Sequence, residues 1–419
     1  MPQQSLVSHL TCDTCGARFE PAEGELTCPR CGPLEGTRTV HYRYPEVQRR
    51  LTRETLAGRR DDSHWRYREL LPVAGRPDSL HPRVGMTPLY PLPRLARRLG
   101  LRELYLKDDG LNPSASFKDR ASSVGVARAL EQNRAVVTAA STGNAASSLS
   151  LFASCAGLRC VIFVPETAPQ AKIAQLLIFG AEVMAVRGTY DQAFDLCLEV
   201  AQRTGWYCRN TAVNPYLGEG KKTAALEICE QLSFDPPDAV VVSAGDGCII
   251  GGLWKGFCDF HRLGLIPRLP RMYGVQAEGS AALARAFERG ARTAEPVTAS
   301  TIADSISVGQ PRDHIKALRA ARESGGAFVT VRDGDILAAM RSLAREAGVF
   351  SEPAGAAAFA GLAPLLETGR LTPSDRVAVV ATGNGLKDVA SAIRAVERKP
   401  VSIEPDIGAA LDALKVEVR

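Results

Sequence analysis

The chain has 419 residues, of which 45% are hydrophobic and 23% charged, and its formal net charge is +5. This composition is ordinary for a globular protein, and so small a positive excess argues for neither a nucleic-acid nor a membrane partner. We find no run of about 18 apolar residues and no secretory signal, so we expect no membrane span. Beyond the first four, the cysteines are scattered singly, which is typical of a reducing cytoplasm.

Four cysteines near the N-terminus form two pairs. Cys12 and Cys15, followed by Cys28 and Cys31, give two C-x2-C motifs separated by twelve residues. Two such pairs supply four thiolates to one tetrahedral Zn²⁺, and a unit of about 30 residues is too small to fold by core burial alone. The spacing predicts a zinc-ribbon-like unit over residues 1–40 with a structural zinc ion. A ribbon that has lost its metal, or redox-active thiols, would show the same spacing.

From about residue 86 the sequence alternates between strands and helices. Short β-branched runs predict buried parallel strands at 135–140, 160–165, 182–187, 239–244, 271–278 and 376–382. Helical stretches are predicted at 120–132, 144–156, 168–179, 190–204, 219–233, 251–263 and 334–347. This alternation predicts an α/β fold with two open parallel sheets.

The same pattern suggests a division of the chain into domains. We expect a connecting arm, rich in Arg, Pro and His, over residues 41–85, whose aromatic residues anchor it to the body. A large α/β domain is predicted from 86–130 and 215–400, and a small α/β domain from 131–214. Residues 401–419 form a tail with a final amphipathic helix.

Three small-residue loops follow predicted strands, at 141–145, 245–249 and 383–385. Ligands of open parallel sheets bind at the carboxyl ends of the strands, where helix N-termini and glycine amides bind anions. One such loop is more often a plain turn, but three suggest a ligand with more than one anionic group. The loop at 245 departs from the dinucleotide motif, and the segment 219–223 is not a P-loop, so nucleotide binding is disfavoured.

One lysine lies in an unusual electrostatic position. Ser116 is predicted to cap a helix that begins near Phe117, which puts Lys118 in the first turn. The helix dipole disfavours an ammonium ion there, so the position suits a lysine that loses its proton and attacks a carbonyl carbon. The alternative is a surface lysine that pairs with Asp119.

Several further motifs occur in a fixed order along the chain. They comprise the stretches 85–89, 107–120, 141–145, 214–216 with 219–223, 245–250 with 254–256, 274–278, 348–354 and 382–388. Together they resemble the threonine synthase family of pyridoxal-phosphate enzymes of fold type II, over about residues 65–398. Several family members also look similar in having an N-terminal cysteine ribbon. The resemblance implies a homodimeric enzyme that acts on a small, phosphorylated amino acid.

The resemblance also implies roles around the cofactor, pyridoxal 5'-phosphate. Lys118 would bind the cofactor covalently and move protons, and Phe117 would pack against the pyridine ring. Asn144 would donate a hydrogen bond to the phenolic oxygen, and Thr382 would face the pyridine nitrogen. A hydroxyl group at that nitrogen favours elimination and replacement over transamination. Taken singly, Phe117 is also compatible with ordinary core and Thr382 with a strand-end cap.

Two further sets of residues would bind the anionic groups. The cofactor phosphate would lie in the loop formed by Gly245, Asp246, Gly247, Cys248 and Ile249. The substrate would be bound by Ser141, Thr142, Asn144, Ala145 and Lys221.

Two positions depart from the family pattern. The phosphate loop usually reads Gly-Asn-Gly-Gly, whereas here Asp246 brings a carboxylate and Cys248 replaces a glycine. Leu217 stands where many members have an arginine that binds the phosphate of O-phosphohomoserine. Lys221 is a candidate replacement, although lysine offers a point charge rather than a bidentate fork.

The leading hypothesis is a β,γ-elimination and replacement that converts O-phosphohomoserine and water into threonine and phosphate. A cysteate-synthase-like β-replacement on O-phosphoserine and a serine/threonine dehydratase-like elimination remain alternatives. Two rival classes are a nicotinamide oxidoreductase and a zinc-ribbon binding protein with an inactive body.

Overall fold

The computed structural model describes residues 5–21, 26–168, 170–396, 398 and 400–415. Parts of the predicted ribbon and tail, residues 1–4, 22–25 and 416–419, therefore lie outside the described residues. The strands are β1 Val7–Cys12, β2 Arg18–Phe19, β3 Arg38–Tyr42, β4 Leu89–Pro91, β5 Glu103–Asp108, β6 Val136–Ala140, β7 Arg159–Pro165, β8 Glu182–Val186, β9 Tyr207–Cys208, β10 Ala239–Ser243, β11 Arg271–Ala277, β12 Ala327–Val331 and β13 Arg376–Ala381.

The α-helices lie between and around these strands. They are α1 Gly32–Glu35, α2 Tyr44–Arg50, α3 Arg53–Ala57, α4 Pro93–Leu99, α5 Lys118–Glu131, α6 Asn144–Ala156, α7 Gln170–Ile178, α8 Tyr190–Thr204, α9 Tyr216–Lys221, α10 Thr223–Gln231, α11 Cys248–Arg262, α12 Ala282–Glu288, α13 His314–Glu323, α14 Asp333–Ser342, α15 Pro353–Ala360, α16 Leu362–Glu367, α17 Val389–Val396 and α18 Ile407–Leu414. None of these described helices is long and apolar enough to cross a bilayer.

The N-terminal segment forms a three-stranded antiparallel sheet in the order β2-β1-β3. Two tyrosines tie it to the body. The Tyr42 hydroxyl donates to Glu219 Oε2 at 2.8 Å, and the Tyr44 hydroxyl donates to Asp259 Oδ1 at 2.7 Å. In the arm that follows, Trp65 and Tyr67 are buried, so the predicted aromatic anchoring is confirmed.

The larger sheet of the body has the strand order β12-β11-β10-β13-β5-β4. Its strands are parallel except for β4, a three-residue edge strand that runs antiparallel to β5. The predicted parallel arrangement is confirmed for the other strands, and β4 makes the sheet mixed at this edge. An antiparallel neighbour fits here because only residues 92–102, including α4, connect β4 to β5, and a parallel crossover needs about a dozen residues or more.

The smaller sheet is fully parallel, in the order β8-β7-β6-β9. Its strands fall between residues 136 and 208, whereas the larger sheet takes its strands from 89–108 and 239–381. The α/β architecture with two open sheets and a small N-terminal unit is thus confirmed. The exact domain boundaries stay a prediction.

A fully buried cluster of charges links α5 to the larger sheet. Arg120 donates to Asp109 at 2.6 and 2.9 Å and to Glu227 at 2.5 and 2.8 Å. Lys107 Nζ lies 2.7 Å from Glu227 Oε2. All four side chains have no exposed surface. The two carboxylates balance the two cations, which is the condition for charges to be tolerated in a protein interior.

Breaking this cluster should destabilise the chain strongly. Glu227→Gln leaves Arg120 and Lys107 short of one negative charge, and we expect the free energy of unfolding to fall by about 3–5 kcal/mol in urea titrations. Glu182→Gln is the matched control, because its ion pair with Arg159 is exposed to solvent. A Glu227 variant as stable as the control would show that the cluster contributes nothing.

Candidate active site

Lys118 is the first residue of α5. The preceding residue, Phe117, is the N-cap, and its amide donates to Thr382 O at 2.9 Å. The prediction that Ser116 caps this helix is wrong, since its buried hydroxyl has no hydrogen-bond partner among the described residues. The hydrogen bond to Thr382 holds Phe117 next to the end of β13. The helix therefore begins at Lys118, one residue later than predicted.

The surface-pair interpretation of Lys118 is also wrong. Asp119 turns back to the loop before the helix, where Oδ2 accepts the Ser114 amide at 2.6 Å and Oδ1 accepts the Ser114 hydroxyl. Within the described ranges, Lys118 forms no salt bridge with any carboxylate. Its side chain is partly buried and lines a cleft together with Phe117 and Thr382.

The environment of Lys118 favours the neutral amine. Burial, together with the positive charges of Lys221 and Arg209, lowers its pKa to about 8. Opposing charge from Cys248 and Asp246 only partly offsets these effects. A lysine with this pKa has an appreciable fraction of free amine near neutral pH, as a nucleophilic or proton-transferring lysine requires.

The loop 245–249 runs from the end of β10 into α11 and lines the same cleft. Gly247 is the N-cap of α11 at a φ of +92°, and no side chain of the described residues caps this helix. Its first amides are therefore available to an anion. Asp246 Oδ1 accepts the Arg312 amide at 3.2 Å, so the carboxylate caps a neighbouring segment. At the end of β10, the buried Ser243 hydroxyl has no partner in the described chain.

The loop 141–145 brings the smaller sheet to the cleft. Asn144 begins α6, and its Nδ2 donates to Glu352 Oε1 at 2.8 Å and to Ser305 Oγ at 3.3 Å. Ser141 Oγ accepts the Gly143 amide at 3.2 Å. Thr142 lines an adjoining recess, and Ala145 lies in the first turn of α6. The predicted substrate loop and the predicted phosphate loop therefore border one cleft.

Leu217 and Lys221, the two residues considered for binding the substrate phosphate, lie in different surroundings. Leu217 is fully buried and packs on α5, where its Cδ2 would be 3.0 Å from a Cβ at Gly125. Lys221 is also buried, and it lines a cavity of about 250 Å³ that Cys248 shares. The structure thus places Lys221, but not Leu217, beside the lysine cleft.

Sequence reasoning assigned no role to two residues of this region. Glu352 lines the lysine cleft and accepts from Asn144, and a signal for it existed in the Glu-Pro-Ala motif at 352–354. Arg209 is buried close enough to Lys118 to lower its pKa. It follows the two-residue strand β9, which is too short to stand out in a hydrophobicity pattern.

The four N-terminal cysteines also come together. Their Sγ atoms all lie within 4.8 Å of one another. Gly16 and Gly32, which follow the two pairs, have φ angles of +71° and +75°. These left-handed turns fold each pair so that both of its thiols face one point, and the arrangement could hold a metal ion.

Comparison with known proteins agrees with this geometry. A family profile described as pyridoxal-phosphate dependent enzyme matches residues 80–383. The chain is 40% identical to a threonine synthase of Methanocaldococcus jannaschii over 96% of this chain and 98% of the relative. It is 38% identical to a threonine synthase of Methanosarcina acetivorans over 97% of this chain and 98% of that relative.

Solved structures show the same fold. Diaminopropionate ammonia lyase from Escherichia coli, solved with an aminoacrylate-PLP azomethine intermediate, superposes with a TM-score of 0.65 at 19% identity. The match covers 94% of this chain and 98% of that one. From the matched profile and these relatives, the chain belongs to the pyridoxal-phosphate dependent enzymes and, among them, to the threonine synthase family.

Proposed function

We propose that this enzyme is a threonine synthase, converting O-phosphohomoserine and water into threonine and phosphate. The observation that carries the proposal is Lys118, a lysine of lowered pKa beside the uncapped N-terminus of α11. Relatives that carry this name match nearly the whole chain, including the N-terminal segment.

The residues of the cleft fit pyridoxal phosphate. The first amides of α11 and the Ser243 hydroxyl, which has no partner among the described residues, offer donors to its phosphate. Thr382 follows β13 and lines the same cleft as Lys118. Cys248 and Ile249 add no hydroxyl, so backbone amides of the loop 245–249 supply most of the binding. When bound, the cofactor provides an electron sink for the carbon next to the substrate amino group.

Lys118 would hold the cofactor and act as the proton carrier of the site. Its lowered pKa allows the ε-amine to accept a proton from the substrate's α- and β-carbons and return it. The guanidinium and ammonium groups of Arg209 and Lys221 keep that amine from holding its proton too strongly. Phe117, the N-cap of α5, lines the cleft, where its ring would pack against the cofactor.

The loop after β6 would orient the amino-acid part of the substrate. Hydroxyls of Ser141 and Thr142 and the amide of Ala145 would bind the α-carboxylate at the start of α6, where the helix dipole favours an anion. Asn144 would face the cofactor's phenolic oxygen. Its amide is already oriented by Glu352 and Ser305 on the opposite side of the cleft.

Glu352 therefore acts as a positioning residue for Asn144. The carboxyl group is buried, and desolvation raises its pKa to about 7 against the opposing effect of Lys387 and of the Asn144 hydrogen bond. As the acid, Glu352 still accepts the Asn144 hydrogen bond and adds no negative charge to a cleft meant for anions.

We further propose that the four cysteines bind one zinc ion. Four thiols within 4.8 Å of one another match the tetrahedral ligand set of a structural zinc site. The metal would fix the turns at Gly16 and Gly32 and hold the three-stranded sheet in shape.

A homodimer and a cytoplasmic location stay predictions. In support of self-association, α17 exposes Val389, Ile393 and Val396 on one face, spaced four and three residues apart.

Lys118→Ala should abolish both cofactor attachment and turnover. We expect borohydride reduction of the wild-type holoenzyme to place a single pyridoxyl adduct on Lys118, mapped by mass spectrometry, and the variant to lack the visible absorbance band. Wild-type enzyme should form threonine and phosphate from O-phosphohomoserine. Phosphate release without threonine, or turnover of O-phosphoserine or serine instead, would replace the synthase assignment by one of the alternatives.

Glu352→Gln should make stability less dependent on pH. The folded-state pKa of Glu352 is raised from 4.5 to about 7, so the folded chain holds a proton that the unfolded chain releases between these values. Wild-type stability is therefore lost as the pH rises from about 4.5 to 7. Relative to wild type, the variant should gain up to about 3 kcal/mol between pH 4.5 and pH 8 in urea unfolding without added cofactor. A constant difference across that range would contradict the raised pKa.

Purified enzyme should contain one zinc ion per chain by elemental analysis. Cys28→Ser should lose the metal and lower the thermal midpoint, because three ligands and an unsupported sheet remain. Cys155→Ser is the matched control, since this lone cysteine lies on α6 outside the cluster. A full zinc content in Cys28→Ser would show that the proposed set of four ligands is wrong.

A further inference from the structure

Arg209 is buried without a negative partner. Its side chain is 1% exposed, and it takes part in none of the ion pairs within the described chain. Nε donates to Ser122 Oγ at 3.2 Å, while Nη2 has no hydrogen-bond partner in the described ranges. Burying an arginine with an unused donor is costly unless an anion completes the site.

The position of Arg209 is fixed relative to Lys118. Ser122 lies four residues after Lys118 on α5, so both side chains project from one face of that helix. The bond to Ser122 therefore lays the guanidinium group along the face that carries the reactive lysine. On the backbone, the Arg209 amide donates to Thr138 O at 2.8 Å, which holds it beside β6 and its substrate loop.

Lys221 is a second buried cation without a carboxylate partner in the described chain. It is 1% exposed, and its Cβ would be 2.9 Å from a Cβ at Gly252, so α9 packs tightly on α11 at this point. Lys221 lines a cavity that shares Cys248 with the Lys118 cleft, and Arg209 donates to Ser122 on the face of α5 that carries Lys118. The positive charges of both lower the pKa of Lys118.

Two other buried cations form salt bridges with buried carboxylates. Arg120 is neutralised by Asp109 and Glu227, and Lys222 by Glu219 and Asp259. Lys221 and Arg209, by contrast, form no salt bridge among the described residues, so they leave a positive excess beside Lys118. An excess of this kind is matched to ligands that bring negative charge.

Leu217 cannot contribute to anion binding, because it packs on Gly125 within the core. Arg209 offers the guanidinium group that is missing at position 217. A planar guanidinium with a free edge binds two oxygens of a phosphate group at once, whereas an ammonium group binds as a point charge.

We propose that Arg209 and Lys221 form the subsite for the phosphate ester of the substrate, an inference that rests on the proposed function. When the Cγ–O bond breaks, its electron pair leaves with the phosphate oxygen, and the two cations stabilise the charge that collects there. The cofactor phosphate is the other source of the same chemistry, but the uncapped start of α11 already provides for it.

The test compares holoenzymes of wild type, Arg209→Met and Arg209→Lys. Binding of inorganic phosphate is followed by the change in cofactor absorbance and by inhibition of turnover, and KM is measured for O-phosphohomoserine. We expect Arg209→Met to weaken phosphate binding and raise KM by about 30-fold, since a hydrogen bond to a charged group is lost. Arg209→Lys should recover part of the loss. The thermal midpoint of Arg209→Met should stay or rise, because a buried unpaired charge is gone.

Arg128→Gln is the matched control. This arginine lies on the same helix but stacks on Tyr216 about three turns from Lys118, and its removal should leave phosphate binding unchanged. Weaker cofactor binding with unchanged phosphate binding in Arg209→Met would overturn the proposal in favour of the cofactor phosphate. A lower thermal midpoint with unchanged phosphate binding would overturn it in favour of a structural role. Arg209-dependent phosphate binding in an enzyme that does not use O-phosphohomoserine would uphold the subsite and refute the synthase assignment.

Discussion

The position of the reactive lysine depends on the buried ion pairs of Arg120. The guanidinium group joins Asp109, just after β5, to Glu227 on α10. Because Arg120 is two residues beyond Lys118, these bonds also fix the first turn of α5 against the larger sheet. Apolar packing alone would allow the helix to slide, whereas bidentate ion pairs have one favourable geometry. The cluster therefore sets where the lysine amine meets the cleft.

The interior contains two kinds of buried cation, and the difference explains the chemistry. Arg120 and Lys107 are matched by carboxylates, so the cluster is neutral and rigid. Lys118, Lys221 and Arg209 lie close together without a salt bridge among the described residues, and Asp246 only partly offsets their charge. The same repulsion that lowers the pKa of the lysine makes the cleft attractive to phosphates and carboxylates. One electrostatic arrangement thus prepares both the nucleophile and the binding of its ligands.

Local patterns were enough to predict much of the fold and of the site. β-branched runs that lead into small-residue loops with glycine predict strands β6 and β10. The position of Lys118 directly after a turn predicts that it lies in the first turn of a helix. Strand β5 was missed because Lys107 and Asp108 resemble surface residues. The burial of Lys107 depends on Glu227, which is more than 100 residues away in sequence. Asp246 looked repulsive to a phosphate for the same reason, since the Arg312 amide that it caps is distant in sequence.

The N-terminal sheet supports the phosphate loop through α13. Asp13 lies between Cys12 and Cys15 and accepts from Arg319 Nη2 at 2.7 Å. At the start of the same helix, the Asp313 amide donates to Asp246 O at 3.0 Å, and the Cβ of Ala317 leaves room only for glycine at position 247. The cysteine turn and the anion-binding loop therefore hold opposite sides of one helix. Whatever fixes the cysteine turn also limits how far α13, and with it the loop, can move away from the cleft.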